Sequence, residues 1–229
     1  MNTLRPPERK WNSVESYFNE LLTPSDAILD AATKAIDAAG LPAISVASHE
    51  GKLLWMLARM QGARNILEIG TLGGYSTIWL ARALAPGGRL ITLEFNPKHA
   101  AIARENIARA GLNEMVEVRV GAALDTLPVV AAEGRGPFDL TFIDADKKNN
   151  WEYFVWALKL SRRGSVIIVD NVVRDGAVVD AGSADPDIRG IRRFTEMLAK
   201  EKRVSATALQ TVGSRGYDGF AIALVTGEP

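Results

Sequence analysis

Cysteine is absent from this chain of 229 residues, and histidine occurs only twice. A chain without cysteine forms no disulfide bond and has no thiolate nucleophile. It also cannot hold zinc or an iron–sulfur cluster through sulfur atoms. Any metal ion must therefore be bound by oxygen atoms or by His49 and His99.

Net charge and long apolar runs are missing as well. The 27 lysines and arginines equal the 27 aspartates and glutamates, so the totals show no electrostatic footprint for nucleic acid or for an anionic membrane. No run of about 18 apolar residues occurs, and the first residues, MNTLRPPERKW, contain no apolar signal region. These absences predict a cytoplasmic protein that acts on a small molecule.

Apolar residues before residue 60 recur at helical spacing. The spacing predicts one helix around residues 14–22, a second over 28–39 that ends at Gly40 and Pro42, and a third over 48–60. We therefore expect a helical N-terminal extension, residues 1–60, that packs on the core of the protein or on a partner subunit.

From residue 61 onward, short β-rich segments alternate with segments of helical length, which predicts an α/β core with a doubly wound parallel sheet. The predicted strands are residues 65–69, 89–93, 116–120, 138–143 and 165–169. The predicted helices are residues 75–84, 97–110, 123–133, 149–160 and 188–200. Two further strands, 204–209 and 219–225, are close enough in sequence to form an antiparallel pair at one edge.

Ligands of such sheets bind at the carboxyl ends of the strands, so residues that follow strands are the first candidates for a site. The first strand is followed by the glycines of EIGTLGGYS, which lead directly into a helix with free amide hydrogens. Their spacing is not the G-x-G-x-x-G of nicotinamide-binding proteins. The alternative is a tight turn without a ligand.

The second and third strand ends also fit a nucleoside. Glu94 follows the second strand 24 residues after Gly70, where an acidic side chain commonly accepts both ribose hydroxyls. A glutamate that caps a helix is the alternative. After the third strand, the small residues Gly121 to Ala123 leave room for a flat ring. An ordinary turn between strand and helix explains them equally well.

Acidic and amide side chains follow the fourth and fifth strands. Asp144, Asp146 and Lys147 come directly after one strand, and Asp170 and Asn171 come after the next. If these strands are neighbours, their polar ends meet at one rim and offer oxygen ligands for magnesium, calcium or manganese. The alternative is two turns with solvated aspartates.

Four segments carry a resemblance to a known family: ILEIGTLGGYS, LITLEFNP, FIDADK and IIVDNVV, in this order between about Ile44 and Val225. Their order and spacing resemble the cation-dependent, S-adenosylmethionine-dependent O-methyltransferases, which include catechol and caffeoyl-coenzyme A O-methyltransferases. The sequence looks closest to bacterial members, which methylate small aromatic diols. The resemblance implies a Rossmann-like doubly wound sheet of seven strands, five parallel plus a C-terminal antiparallel pair. It also implies a single methyltransferase domain over residues 1–229, with residues 61–229 as its cofactor-binding core, and a homodimer.

The resemblance also implies roles for individual residues. The implied S-adenosylmethionine site comprises Val46, Glu68, Gly70, Gly74 and Ser76 around the methionine end, Glu94 at the ribose, Ala122 and Ala123 beside the adenine, and Asp144. The implied ligands of a divalent cation, Mg²⁺ with Ca²⁺ or Mn²⁺ as alternatives, are Asp144, Asp170 and Asn171. Lys147 matches the lysine proposed as general base in the family, and Asp144 shares the catalytic centre with it.

The chain departs from its relatives around the acceptor. Many plant members have aromatic residues where this chain has Asn150 and Arg174, and both positions border the acceptor pocket in the family. Mammalian catechol enzymes place an acidic residue near the C-terminal hairpin, where an ungapped count reaches Val212. Other candidates to wall an aromatic acceptor are Trp151, Tyr153, Trp156 and Tyr217, although helical spacing favours a core position for Trp156. His99 is interpreted as a surface residue.

Methyl transfer to oxygen explains why a metal and a lysine are needed together. A phenol has a pKa of about 10, so it is mostly protonated at neutral pH. A metal bound to both oxygens of a catechol lowers that pKa, and Lys147 then accepts the remaining proton. Asp144 and Asp146 favour the ammonium form of Lys147, so the base role requires a bound cation. The alternative is a salt-bridged surface lysine.

Four alternative functions need to be considered for the same sequence. A nucleic-acid methyltransferase needs a basic groove, which the neutral charge does not favour. An amino-group methyltransferase is expected to carry an Asn/Asp-Pro-Pro-aromatic run after the fourth strand, and none is present. A binding protein without catalysis would not need the metal and base residues. A methyltransferase with an acceptor other than a catechol stays open.

Overall fold

The computed structural model describes residues 6–24 and 26–228, so the first five residues of the predicted N-terminal extension lie outside the description. The helices are α1 (Pro6–Leu22), α2 (Ala27–Ala38), α3 (Ser48–Gln61), α4 (Tyr75–Ala83), α5 (Pro97–Arg109), α6 (Ala123–Ala132), α7 (Asn150–Lys159) and α8 (Pro186–Leu198). The strands are β1 (Asn65–Ile69), β2 (Arg89–Glu94), β3 (Val116–Val120), β4 (Phe138–Ile143), β5 (Ser161–Asp170), β6 (Val204–Gly213) and β7 (Gly216–Val225).

The seven strands form one sheet in the order β3-β2-β1-β4-β5-β7-β6. Strands β1 to β5 are parallel, whereas β7 is antiparallel to β5 and to β6. The predicted fold class is confirmed, and so is the pairing of the fourth and fifth strands. The strand order reverses between β1 and β4, which makes the carboxyl ends of these strands the expected ligand cleft.

Helices cover both faces of the sheet. Successive side chains of a strand point to opposite faces, so each face packs in a core of its own. Ile66 and Leu67 are neighbours in β1, and both are completely buried. Ile66 packs in a core that includes Leu29, Leu54 and Leu80 from α2, α3 and α4. Leu67 packs in a second core with side chains of α6, α7 and α8. Burial on both faces accounts for the continuous apolar runs of these strands.

Most element boundaries lie within two residues of the predicted ones. Larger differences occur at α1, which begins at Pro6 and not near residue 14, at the turn of the hairpin, where β6 ends at Gly213 and β7 begins at Gly216, and at β5. The prediction began this strand at residue 165, whereas it begins at Ser161. The register between β4 and β5 shifts near this point, and Gly164 has a positive φ of 89°. The irregularity interrupts the alternation by which a strand is recognised in sequence. The N-terminal end of the predicted helix 149–160 also differs, because residues Lys147–Asn149 form a 3₁₀ turn before α7.

The N-terminal helix α1 contacts the hairpin of β6 and β7. Both carboxylate oxygens of Glu15 accept hydrogen bonds from Ser214, one from its backbone N–H and one from its hydroxyl at 2.8 Å. Arg215 extends the contact by donating to the carbonyl of Ala43. No helix in the described parts of the chain is long and apolar enough to cross a membrane.

Candidate functional site

Two adjoining cavities open at the carboxyl end of the sheet. The larger, of about 820 Å³, lies over the ends of β1, β2 and β4. The smaller, of about 380 Å³, lies between the end of β5, the loop before α3 and the turn of the hairpin. The residues that border both cavities are Ile44, Ser45, Val46, Asn171 and Arg174. The larger cavity is within the usual size range of ligand sites, roughly 300–1,000 Å³.

The glycine turn after β1 forms one wall of the larger cavity. Gly70 has a φ of 98°, and a Cβ atom built on it would lie 1.9 Å from the carbonyl oxygen of Asp144. The position therefore accepts only glycine. Gly74, with a φ of 83°, precedes the first turn of α4 and faces Ala103 of α5. It does not line the cavity, so its predicted role in cofactor binding would be to aim the helix N-terminus.

Glu68 lies behind the glycine turn and is completely buried. Its carboxylate accepts hydrogen bonds from the hydroxyls of Ser76 at 2.6 Å, Thr92 at 2.7 Å and Thr77. Burial raises the pKa of Glu68 to about 7, although these three hydrogen bonds oppose the shift. Ser76 lines the cavity and Glu68 does not. Direct contact between Glu68 and a cofactor therefore stays a prediction, and in the structure Glu68 is linked to the cavity by its hydrogen bond with Ser76.

Glu94 faces the larger cavity from the end of β2. Its Oε2 accepts the backbone N–H groups of Thr71 at 3.2 Å and Leu72 at 2.8 Å, and its Oε1 accepts that of Asn96 at 2.9 Å. His99 lies beside it, with Nδ1 at 3.4 Å from Oε1. The interpretation of His99 as a surface residue is wrong, because α5 turns this side chain toward Glu94 and into the cavity lining.

The end of β3 completes the larger cavity. Ala122 and Ala123 line it, as predicted for the two residues beside an adenine. Across from them stands Phe95, whose side chain is 76% exposed although it is aromatic. Exposed aromatic rings at a cavity rim provide stacking surfaces for flat ligands. The lining of the larger cavity therefore includes both the small residues Ala122 and Ala123 and the exposed aromatic ring of Phe95.

Asp144 and Lys147 meet at the end of β4. The ammonium Nζ of Lys147 donates a hydrogen bond to Oδ1 of Asp144 at 2.8 Å. Lys147 is 5% exposed, so its charge lies close to the floor of the cavity. The alternative of a salt-bridged lysine at the protein surface does not describe this residue, because the pair lines the cavity.

Asp170 and Asn171 reach the same rim from β5, the strand next to β4. Burial and the neighbouring carboxylate of Asp144 raise the pKa of Asp170 well above its usual value. Asn171 has a φ of 56°, a conformation that asparagine adopts more readily than most residues. The loop backbone is tied back by the hydrogen bond from the N–H of Asn171 to Oδ1 of Asp170 at 2.8 Å.

The chemistry of this rim fits a hard divalent cation. Two carboxylates that repel each other and one amide provide oxygen donors, and partial burial together with Asp144 raises the pKa of Asp170. Among residues 6–24 and 26–228, no group of three or more histidines, aspartates or glutamates is arranged to hold a metal. The three-residue set expected from the sequence contains only two such residues, because its third member is an asparagine.

The structure also shows contacts around the site that the sequence reasoning did not identify. Tyr153 donates a hydrogen bond from its hydroxyl to Asp146, and both line the larger cavity. Glu50 accepts the N–H of Ala47 at 2.9 Å and lines the smaller cavity, where burial raises its pKa. The only sequence signal for Glu50 is its place at the third position of a helix, as in a capping box.

Of the residues at which the chain departs from its relatives, some line a cavity and others do not. Asn150 is completely buried and lines neither cavity, so the expectation that it borders the acceptor pocket is wrong. It begins α7 and its side chain turns into the core. Val212 and Arg174 line the smaller cavity. Tyr217 does not line either cavity, since its ring packs beside Gly176.

Comparison with known proteins adds the chemistry of relatives. The family model described as O-methyltransferase matches residues 22–223. The chain is 55% identical to a catechol O-methyltransferase of Niastella koreensis, over 94% of this chain and 97% of that protein. It is 54% identical to a catechol O-methyltransferase of Mycobacterium tuberculosis, over 93% of this chain and 94% of that one.

A solved structure shows the same architecture with a ligand. The O-methyltransferase of Bacillus cereus, determined in complex with SAH, is 60% identical to this chain and superposes with a TM-score of 0.94. The match covers 95% of this chain and 99% of the Bacillus protein. SAH is the demethylated product of S-adenosylmethionine, so this relative binds the cofactor that the strand ends of the present chain were expected to bind.

Proposed function

The chain belongs to the O-methyltransferase family and is an S-adenosylmethionine-dependent enzyme, and we propose that it methylates one hydroxyl of a small catechol-type molecule with the help of a divalent cation. The observation that carries this proposal is the meeting of Asp144, Lys147, Asp170 and Asn171 at one rim beside the larger cavity. The names of the two catechol O-methyltransferase relatives support the acceptor class.

The larger cavity is the proposed cofactor site. Glu94 would accept the ribose hydroxyls, since a carboxylate at the end of the second strand suits both of them. Ala122 and Ala123 would flank the adenine, and Val46, Gly70 and Ser76 would surround the methionine end. The sulfonium methyl group would then lie near Asp144, which borders the acceptor side.

The rim of Asp144, Asp170 and Asn171 is the proposed metal site, with Mg²⁺ as the expected ion. Its fit rests on the oxygen donors and on the buried carboxylate of Asp170, whose charge is costly without a compensating cation. A divalent cation bound there would lower the pKa of the diol hydroxyls and orient both oxygens. Asn171 contributes a neutral oxygen and holds the loop that follows β5.

Lys147 is the proposed general base. Lys147 donates its hydrogen bond to Asp144, and a cation bound at Asp144 would compete for that carboxylate and leave Lys147 available as a proton acceptor. The amine then accepts the proton of the acceptor hydroxyl, the oxygen forms a bond to the methyl carbon, and the carbon–sulfur bond breaks to leave S-adenosylhomocysteine. The buried position of Lys147 favours transfer because bulk water is excluded.

A product assay tests the proposed function. The purified protein is incubated with S-adenosylmethionine and a panel of catechols, with magnesium or with excess EDTA, and products are read by mass spectrometry. We expect products that gain one methyl group only when metal is present. The Asp144→Ala variant serves as the control and should give none. Equal yields with and without EDTA would overturn the metal role, and no product from any catechol would overturn the acceptor class.

We also propose that the chain forms a homodimer through α1. Val14, Phe18, Leu21 and Leu22 lie on this helix and are 48%, 49%, 62% and 64% exposed. Large apolar side chains in a contiguous patch mark interaction surfaces. Light scattering after size exclusion should give twice the mass of one chain for the wild type, and the Leu21→Glu variant should shift the protein toward the mass of a single chain. A monomeric wild type would contradict the proposal.

A further inference from the structure

Arg174 lies where the two cavities meet, three residues after the proposed metal ligand Asn171. The proposed acceptor site extends from the rim of Asp144 and Asp170 toward this point, because the hairpin and the loop before α3 enclose the space beyond it. A substituent on an acceptor whose hydroxyls face that rim would point along this space. The side chain of Arg174 is therefore placed to contact the part of the acceptor that is remote from the hydroxyls.

The guanidinium of Arg174 has no ion-pair partner within 4 Å among the residues that the structure describes. The other lysine and arginine side chains beside the cavities either have a hydrogen-bond partner or line only one of the two cavities. Lys147 binds Asp144, and Arg215 donates to the carbonyl of Ala43. Lys148 lines the larger cavity only. Arg174 is thus a positive charge that lines both cavities and forms no ion pair with a described residue.

The backbone that carries Arg174 is held in an unusual conformation. Its φ is 53°, and that of Asp175 is also 53°, which is costly for residues with a side chain. Asp218 stabilises this turn, because its Oδ1 accepts the N–H groups of Val173 at 3.1 Å, Arg174 at 3.0 Å and Gly219 at 2.9 Å. The N–H of Asp175 donates to the carbonyl of Tyr217 at 2.8 Å. Strand β7 therefore fixes the base of the arginine side chain.

Several acidic side chains line the smaller cavity, and they bear on which kind of ligand Arg174 can bind. Its lining contains the carboxylates of Glu15, Glu50, Asp170 and Asp218. This negative lining would repel an acceptor that carries its own negative charge, even with a divalent cation at the rim. An acceptor without charge would gain nothing from a guanidinium here. An anionic group is the ligand chemistry for which Arg174 supplies both charge and a forked pair of donors.

We infer that Arg174 determines specificity for catechols that carry a carboxylate, by pairing its guanidinium with that group while the two hydroxyls face the rim of Asp144, Asp170 and Asn171. The inference rests on the proposed function and narrows its acceptor class. A hydrogen-bonded ion pair at a partly solvated site is expected to change kcat/KM about tenfold. The effect belongs in KM, because Arg174 contacts a part of the acceptor that does not react.

The test compares three acceptors that differ in charge: 3,4-dihydroxybenzoate, catechol and dopamine. With saturating S-adenosylmethionine and magnesium, the wild type should prefer the anion to catechol and catechol to the cationic amine. The Arg174→Gln variant should lose about tenfold in kcat/KM for 3,4-dihydroxybenzoate and less than about twofold for catechol. The Arg174→Lys variant should keep most of the preference, since the charge remains. Arg163→Gln, an exposed arginine at the opposite end of β5, is the matched control and should change nothing.

Equilibrium binding provides a second readout that does not depend on turnover. Calorimetry with S-adenosylhomocysteine and magnesium present should show tighter binding of 3,4-dihydroxybenzoate than of catechol to the wild type, and no such preference in Arg174→Gln. An equal loss for all three acceptors, or an anion preference that survives in Arg174→Gln, would overturn the role of Arg174. If the wild type methylates catechol and dopamine but not the anion, the acceptor class stands and the inference fails. If no diol is methylated or bound, the proposed function fails first.

Discussion

The buried ammonium of Lys147 donates a 2.8 Å hydrogen bond to Asp144, a residue that is also proposed as a metal ligand. With the proposed metal bound, one carboxylate would serve two positive partners at the rim of the cavity. Since Asp144 follows β4 directly and Lys147 lies in the next turn, the backbone keeps the pair together. Replacing Asp144 is expected to affect metal binding, whereas replacing Lys147 is expected to affect proton transfer.

Replacing Lys147 by methionine should lower kcat at least 100-fold, because general bases typically contribute factors of about 10² to 10⁴. Methionine keeps much of the buried aliphatic chain and removes the amine. Calorimetry should show that magnesium and S-adenosylhomocysteine still bind. Lys200→Met is the matched control, since Lys200 is exposed and lines neither cavity. Near-normal rates of Lys147→Met at neutral pH would show that the base is another group.

Glu94→Gln should weaken binding of S-adenosylhomocysteine by at least about tenfold. Glutamine puts an NH₂ group, which cannot accept a hydrogen bond, in place of one carboxylate oxygen and removes the charge of the other. The two oxygens of Glu94 accept three backbone N–H groups and face the cavity, and hydrogen bonds to charged groups are worth roughly 1.5–3 kcal/mol. Calorimetric titration measures the change. Glu105→Gln, on the exposed side of α5, should bind like the wild type. Unchanged affinity in Glu94→Gln would argue against contact with the ribose.

Magnesium affinity should rise with pH and binding should release a proton, because burial and Asp144 hold the pKa of Asp170 well above its usual value. Metal binding requires the deprotonated carboxylate, so at lower pH the ion competes with a proton. Titrations at a series of pH values, in buffers of different ionisation enthalpy, report the proton count. Asp170→Asn should lose most of the affinity. Affinity independent of pH would place the ion elsewhere.

The free energy of unfolding should depend on pH through Glu68. The folded protein keeps the proton of Glu68 up to about pH 7, whereas the unfolded chain releases it near 4.5. The stability that this proton contributes is fully present below about pH 4.5 and is lost as the pH rises through 7. The loss is about 3 kcal/mol at most.

Urea unfolding of the wild type and Glu68→Gln across this range measures the contribution. The difference between the two proteins should shift in favour of Glu68→Gln as the pH rises, since glutamine does not titrate. Other titrating groups are common to both proteins and cancel in the comparison. Two curves that stay parallel from acidic to neutral pH would show that the pKa of Glu68 is the same in the folded and the unfolded protein.

Much of the fold and the cofactor end of the site followed from local pattern. Strands β1, β3 and β4 begin and end at the predicted residues, because each is a short apolar run between turn or helix signals. Gly70, Glu94 and Asp144 directly follow or end strands, and parallel strands bring their carboxyl ends to one edge whatever the details of packing. That geometric rule is why residues far apart in sequence were expected at one cavity.

Other features depend on contacts between distant segments, which no local pattern records. His99 was interpreted as a surface residue because its helix is amphipathic, yet the rotation of α5 places it 3.4 Å from Glu94. Asn150 was expected at the acceptor pocket, but the 3₁₀ turn before α7 directs it into the core. Rotating a helix by one residue position changes which side chains face a cavity, and only tertiary packing fixes that rotation.

The sequence by itself determined the order of strands and helices, the residues at each strand end and the family to which they point, because hydrophobic period and turn chemistry are local. Tertiary structure alone decided that β7 lies between β5 and β6, that Asp170 is buried beside Asp144, and that Arg174 faces the cavities without a carboxylate partner among the described residues. These are outcomes of long-range pairing, in which burial and charge compensation depend on what the rest of the chain brings alongside.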